Sequence, residues 1–125
     1  MRKITDSELN RVLQRHQKWI DSGRKKGNRA DLRWIDLRDS SLSGVSLQSA
    51  YLCYADLRGT DLRGTDLLRT DLLGADLRGA QLDTNIRHCL TLYRARFTAD
   101  ALPWLILYPE WVEMQKTVRI EEAAA

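Results

Sequence analysis

The sequence predicts an all-β solenoid: a coil of short extended sides, with an amphipathic helix over its first turn and a short α/β segment over its last. Three observations predict it. Leucine recurs at every fifth position through residues 30–84, residues 5–22 carry an apolar stripe of helical period, and residue pattern and charge both change near residues 29 and 84. These breaks divide one folded unit into 1–29, 30–84 and 85–125. A chain of 125 residues suits a single domain. With 43% hydrophobic and 30% charged residues it has the balance of a globular chain, not a disordered one.

The first segment opens with a helix. Thr5 and Glu8 form a capping-box pair, and Gly23 is placed to stop the helix. Between them Leu9, Val12, Leu13, His16, Trp19 and Ile20 recur at helical spacing. This stripe predicts a lid over the first coil, with Trp19 on its buried face. The segment holds nine Lys or Arg against three acids, and Arg24, Lys25, Lys26 and Arg29 cluster after the helix.

From Ala30 the chain reads ADLRW, IDLRD, SSLSG, VSLQS, AYLCY, ADLRG, TDLRG, TDLLR, TDLLG, ADLRG, AQLDT. Leu is central in all eleven blocks, from Leu32 to Leu82. On an α-helix, five steps of ~100° would spread these leucines around every side. On a straight strand an odd spacing would send successive leucines to opposite faces. The period works only if the chain turns a corner once per block, always in the same sense. The residue two before Leu then also faces inward, and it is small in most blocks: Ala30, Ser40, Ala50, Ala55, Thr60, Thr65, Thr70, Ala75 and Ala80, with Ile35 and Val45 as larger exceptions. Four sides close a square, so one coil takes 20 residues.

This spacing resembles the pentapeptide-repeat family, whose signature is A(D/N)LXX. The resemblance covers 55 of the 125 residues. It implies a right-handed four-sided β-helix, here of just under three coils. Tyr51 and Gln81 replace the usual Asp, and the repeat is expected to end where the next central position falls on Arg87.

The third segment reads as a C-terminal cap. Thr98 is placed to begin a short helix over Ala99–Leu107, Pro109 another carrying Trp111, Val112 and Met114, and Lys116–Glu121 alternates as a strand does, with Val118 and Ile120 on one side. It is expected to cover the last coil. A homodimer through this segment is the alternative, since C-terminal elements pair in several relatives.

Catalytic motifs are absent: there is no GxGxxG, Walker loop, HExxH or GxSxG. His16 lies on the helix stripe as a packing residue, and His88 beside Cys89 sits on an opposed face, so neither predicts a base. Nine Asp fall within the repeat, seven of them directly before a central Leu, which marks them as structural or solvated. No enzyme, cofactor or metal site is expected. Cys53 and Cys89 form no CxxC, the longest apolar run is Ala101–Tyr108, and the first ten residues lack an apolar stretch. A membrane protein is therefore excluded and a cytoplasmic one expected.

Stacking blocks four apart defines two candidate surfaces. One side carries Asp36, Asp56 and Asp76 beside Arg38, Arg58 and Arg78, a polar docking face or a lattice of cross-strand ion pairs. The next carries Trp34, Tyr51, Cys53, Tyr54 and Leu73, with Leu68 on the preceding side, an apolar patch for a partner or for the chain's own tail. The expected function is a non-catalytic interaction module, an adaptor or inhibitor of an unidentified bacterial or phage protein. Members of the family that mimic DNA and act on gyrase extend that expectation to a DNA-processing enzyme. A monomeric DNA mimic is disfavoured, because one DNA turn spans about 34 Å and would need roughly seven coils at ~4.8 Å each. The alternative function is nucleic-acid binding, with Arg24, Lys25, Lys26 and Arg29 as phosphate contacts.

Overall fold

The computed structural model describes residues 1–122. Nine parallel bridges each join residues 20 apart, among them Asp31 with Tyr51, Asp36 with Asp56, Ser41 with Asp61 and Ser46 with Asp66. Four successive blocks therefore make one turn of a stacked coil. The sides are so short that most pair through a single residue. Regular strands appear only where a terminal segment adds to the stack.

The corner is built the same way in each block. The central Leu carbonyl accepts the amide three residues on, as Leu52 does from Ala55 at 3.1 Å and Leu57 from Thr60 at 3.1 Å. The residue before the next block takes positive φ: Trp34, Asp39, Gly44, Ser49, Tyr54, Gly59, Gly64, Arg69, Gly74 and Gly79. A type II-like turn requires that conformation, which is why Gly fills half of these positions. All eleven central leucines are buried, and Thr60, Thr65 and Thr70 lie fully inside. Their hydroxyls donate to the carbonyls of Leu37, Leu42 and Leu47 at 2.9, 2.8 and 2.7 Å, so each of these three buried hydroxyls is paired.

The coil runs further than the expected end at residue 84. A 3-10 turn at Thr84–His88, capped by Asp83 Oδ1 on the Asn85 amide at 2.9 Å, swings Ile86 rather than Arg87 into the core. The five-residue register then resumes. Leu92 and Phe97 are fully buried, Ala95 fills the small position, Thr91 bridges Asp71 and Arg96 bridges Asp76. One buried residue is supplied from the neighbouring position, so the charged residue at the central site ends nothing. The coil makes about three and a half turns, not just under three.

Both ends are closed. Strand β1 (Arg2–Lys3), unforeseen from the sequence, pairs in parallel with β2 (Ile35–Asp36). Helix α1 (Asp6–Asp21) is capped by Thr5, whose Oγ1 accepts the Glu8 amide at 3.1 Å, and buries Leu9 and His16. The Ala30 amide donates to His16 Nδ1 at 2.9 Å, tying helix to coil. At the other end β3 (Arg96–Thr98) pairs with β4 (Arg119–Glu121), and α2 (Leu102–Leu105) and α3 (Trp111–Met114) lie between them. Leu105, Tyr108 and Val118 bury against the last coil. Ile120 does not share the burial of Val118, because the strand begins only at Arg119.

Candidate interaction surfaces

The apolar side assembles as a stack. Trp34 lies flat on Tyr54, centroids 4.5 Å apart and 9° from parallel, and Tyr54 lies over Gly74, where a Cβ would collide with the ring. Trp34 is 60% exposed. Both aromatics hold positive φ, 60° and 57°, a conformation that bulky side chains avoid. Leu73 and Cys53 are half-buried beside this column, and Leu68 is exposed on the preceding side. Tyr93, 45% exposed, extends the face by one coil and was missed because the repeat was expected to stop at 84. Tyr51 is half-buried under cations: Arg29 and Arg33 stand over its ring at 4.9 and 5.3 Å, and Arg29 donates to its hydroxyl. The described tail packs over the last coil, so the option that it folds back over this side is corrected.

The polar side is charge-saturated. Arg38, Arg58 and Arg78 each grip the Asp of their own block through two nitrogens, at 3.0 and 2.8 Å to Asp36, 2.8 and 2.6 Å to Asp56, and 2.8 and 2.6 Å to Asp76. Contacts to the next coil are longer, 3.7 Å from Arg38 to Asp56 and from Arg58 to Asp76. The lattice is thus tightest within blocks, with the expected cross-strand pairs as its longer links. The reason is geometric, since residues two apart on one outward side already lie within reach. Each Asp also accepts the amide two residues on, as Asp36 does from Arg38 at 3.0 Å. These arginines hold the Asp36 carboxyl well below the usual range and lower that of Asp56, and Arg63 takes Asp61 down to about 2. Such a face offers a partner few unspent charges.

The basic cluster is partly turned inward. Arg24 and Arg29 stand over the Trp19 ring at 4.9 and 4.8 Å, and Arg24 also donates to Ser49 Oγ at 3.3 Å. Trp19 is half-buried under these cations rather than set on the helix's buried face. Lys25 and Lys26 are exposed.

The thiols are poor nucleophiles. Burial, with Asp71 nearby, pushes Cys53 up to about 11, and burial pushes Cys89 up to about 12. His88 is exposed while Cys89 is buried, so they form no pair. Among the described residues no cluster of His, Cys, Asp or Glu is arranged to hold a metal ion, and no helix is long and apolar enough to cross a membrane.

A coil of five-residue sides with turns at positive φ defines a stacked repeat protein. The sequence model for pentapeptide repeats matches in eight copies, over residues 30–67 and 55–98, and the chain belongs to the pentapeptide-repeat family. The match reaches residue 98, as the resumed register does. The crystal structure of alr5209, a pentapeptide repeat protein from Nostoc PCC 7120, is similar at 25% sequence identity over 88% of this chain and 95% of that one, with a TM-score of 0.31. No curated protein matches the chain. Proteins of this family are generally non-catalytic interaction modules.

Proposed function

We propose that this chain is a non-catalytic protein-interaction module built on a right-handed coil, and that it docks a protein through the Trp34–Tyr54–Leu73 face. The observation that carries this reading is the positive φ of Trp34 and Tyr54. Backbone strain of about 1–3 kcal/mol per such residue persists where something over-determines it, and glycine fills the same turn position elsewhere in this coil. An exposed aromatic retained at that cost fits a docking anchor. The module acts as an adaptor or inhibitor of a cytoplasmic bacterial or phage protein, a nucleic-acid enzyme among the targets. A coil of three and a half turns rises only about 17 Å at ~4.8 Å per turn, half a turn of DNA, and Arg neutralises its Asp. That disfavours DNA mimicry by a monomer.

The test is capture from nuclease-treated bacterial lysate by the tagged chain, run beside Trp34→Gly and Leu73→Arg. The reading expects a protein retained by the natural chain and lost with either variant while both stay folded. Retention by both variants would remove this face from consideration. Two further readings stand behind it. Lys25 and Lys26, with Arg24 and Arg29, give a surface for nucleic acid, in which case the captured material disappears with nuclease. Ile106 and Val112, 61% and 70% exposed on the C-terminal cap, give a surface for a homodimer, which sedimentation would report.

A further inference from the structure

Arginines of the coil and of the N-terminal segment stand in different electrostatic settings. Arg33, Arg38, Arg58, Arg63 and Arg78 each grip a carboxylate within their own block. Arg11, Arg15 and Arg29 have no carboxylate within 4.0 Å among the described residues, and all three line one cleft between α1 and the first block. The cleft has a volume of about 380 Å³, within the range of small-ligand sites, and Val12 and Ala30 give it an apolar wall. Glu8 and Asp31 also border it, but Arg2 holds Glu8 at 2.8 Å and Arg33 holds Asp31 at 2.7 Å. The positive charge around the cleft is therefore left without a counter-charge.

Two of these guanidiniums are positioned in advance. Arg29 is held over Trp19 and Tyr51 and by the Tyr51 hydroxyl. Arg15 donates its Nε to Asn28 Oδ1 at 2.6 Å, which leaves its two terminal nitrogens for another acceptor. Arg11 and Arg15 are four apart on one helix face and repel each other unless an anion lies between them. Guanidinium forks match the oxygens of a tetrahedral oxyanion, and three of them suit a dianion better than a single carboxylate.

We propose that this cleft binds a phosphate monoester, its phosphate held by Arg11, Arg15 and Arg29 and its organic body lying against Val12 and Ala30. The site is separate from the aromatic face, so either assignment can fail alone.

Calorimetric titration of the full chain with adenosine monophosphate, inorganic phosphate and a short oligothymidine tests it. The expected result is saturable one-to-one binding of the monophosphate, tighter than inorganic phosphate. Arg11→Gln should weaken it about tenfold, the loss of one charge-assisted contact, and Lys25→Gln should leave it unchanged. Arg11 makes no side-chain hydrogen bond among the described residues, so this variant leaves the fold intact even if Arg15→Gln does not. Absence of saturation at millimolar monophosphate, or equal affinity in Arg11→Gln, would overturn the assignment. So would oligothymidine binding that Lys25→Gln weakens and the monophosphate does not displace, which would give the surface to nucleic acid.

Discussion

Where aspartate precedes a central leucine and arginine follows it, the carboxylate serves the turn and the surface at once. Asp56 accepts the Arg58 amide at 3.2 Å and the Arg58 side chain at 2.8 and 2.6 Å, so one carboxylate fixes a corner and neutralises a cation. At the turn's positive-φ position the opposite economy holds: the side chain works against the backbone. Trp34→Gly should relieve about 1–2 kcal/mol of left-handed strain and forfeit about 0.5–1.5 kcal/mol of stacking on Tyr54. Its urea midpoint should therefore stay close to that of the natural chain, and a large fall would mean that the stack is structural. Residues 86 and 87 make a second pair of opposites. Ile86→Ala should cost about 2–5 kcal/mol as a core truncation and Arg87→Ala less than about 0.5 kcal/mol, read from urea unfolding. Equal costs would contradict the switch of the buried position at the 3-10 turn.

Helix α1 is attached through a titratable group. His16 is fully buried and accepts the Ala30 amide through Nδ1, which requires the neutral ring. Burial lowers its pKa, the Gln48 carbonyl acts the other way, and the nearby Arg29 guanidinium adds to the lowering. The unfolded chain then takes up the proton first, so stability is complete above about pH 6.5 and falls as the pH drops below that value. Aspartates held low by Arg38 and Arg58 keep their contribution until more acid conditions. The interval from about pH 6.5 to 5 therefore belongs to His16. Chemical denaturation at pH 7.5 and 5.5 should show lower stability at the acid value, with a lower protection factor for the Ala30 amide once the slower intrinsic exchange in acid is allowed for. In His16→Gln the difference between the two values should vanish, and its persistence would assign the effect to another group.

On the scale of the whole molecule, a stacked coil needs both ends covered, because each would otherwise present unpaired amides and apolar interior. Here β1 and β4 pair with β2 and β3 at opposite ends of the side that carries Asp36, Asp56 and Asp76. Arg78 and Glu121, 3.1 Å apart, join the last strand to the coil. Truncation after Gln115 would remove β4 and the buried Val118 and uncover β3. Expected outcomes are a lower thermal midpoint and association that grows with concentration in light scattering. A truncated chain that stays monomeric and equally stable would show that the cap is dispensable.

By itself the sequence determined the coil, since a period of five with Leu at its centre is compatible with neither helix nor straight strand. It also determined which residues share a side, because blocks four apart must stack. That is how Trp34, Tyr54 and Leu73 could be grouped before their positions were known. The tertiary structure alone decided the length of the coil, the closure of its ends and the fate of the basic cluster. Leu92 and Phe97 keep the register of Leu32, but Arg87 hides the continuity until a neighbouring residue is seen to take its place. Arg2 and Lys3 have no pattern that marks a strand; they become one because an open edge needs partners. Trp19, Arg29 and Tyr51 are distant in sequence, and only folding brings one guanidinium against both rings. A local period specifies a repeating backbone, whereas caps and clefts depend on contacts between segments that share no period.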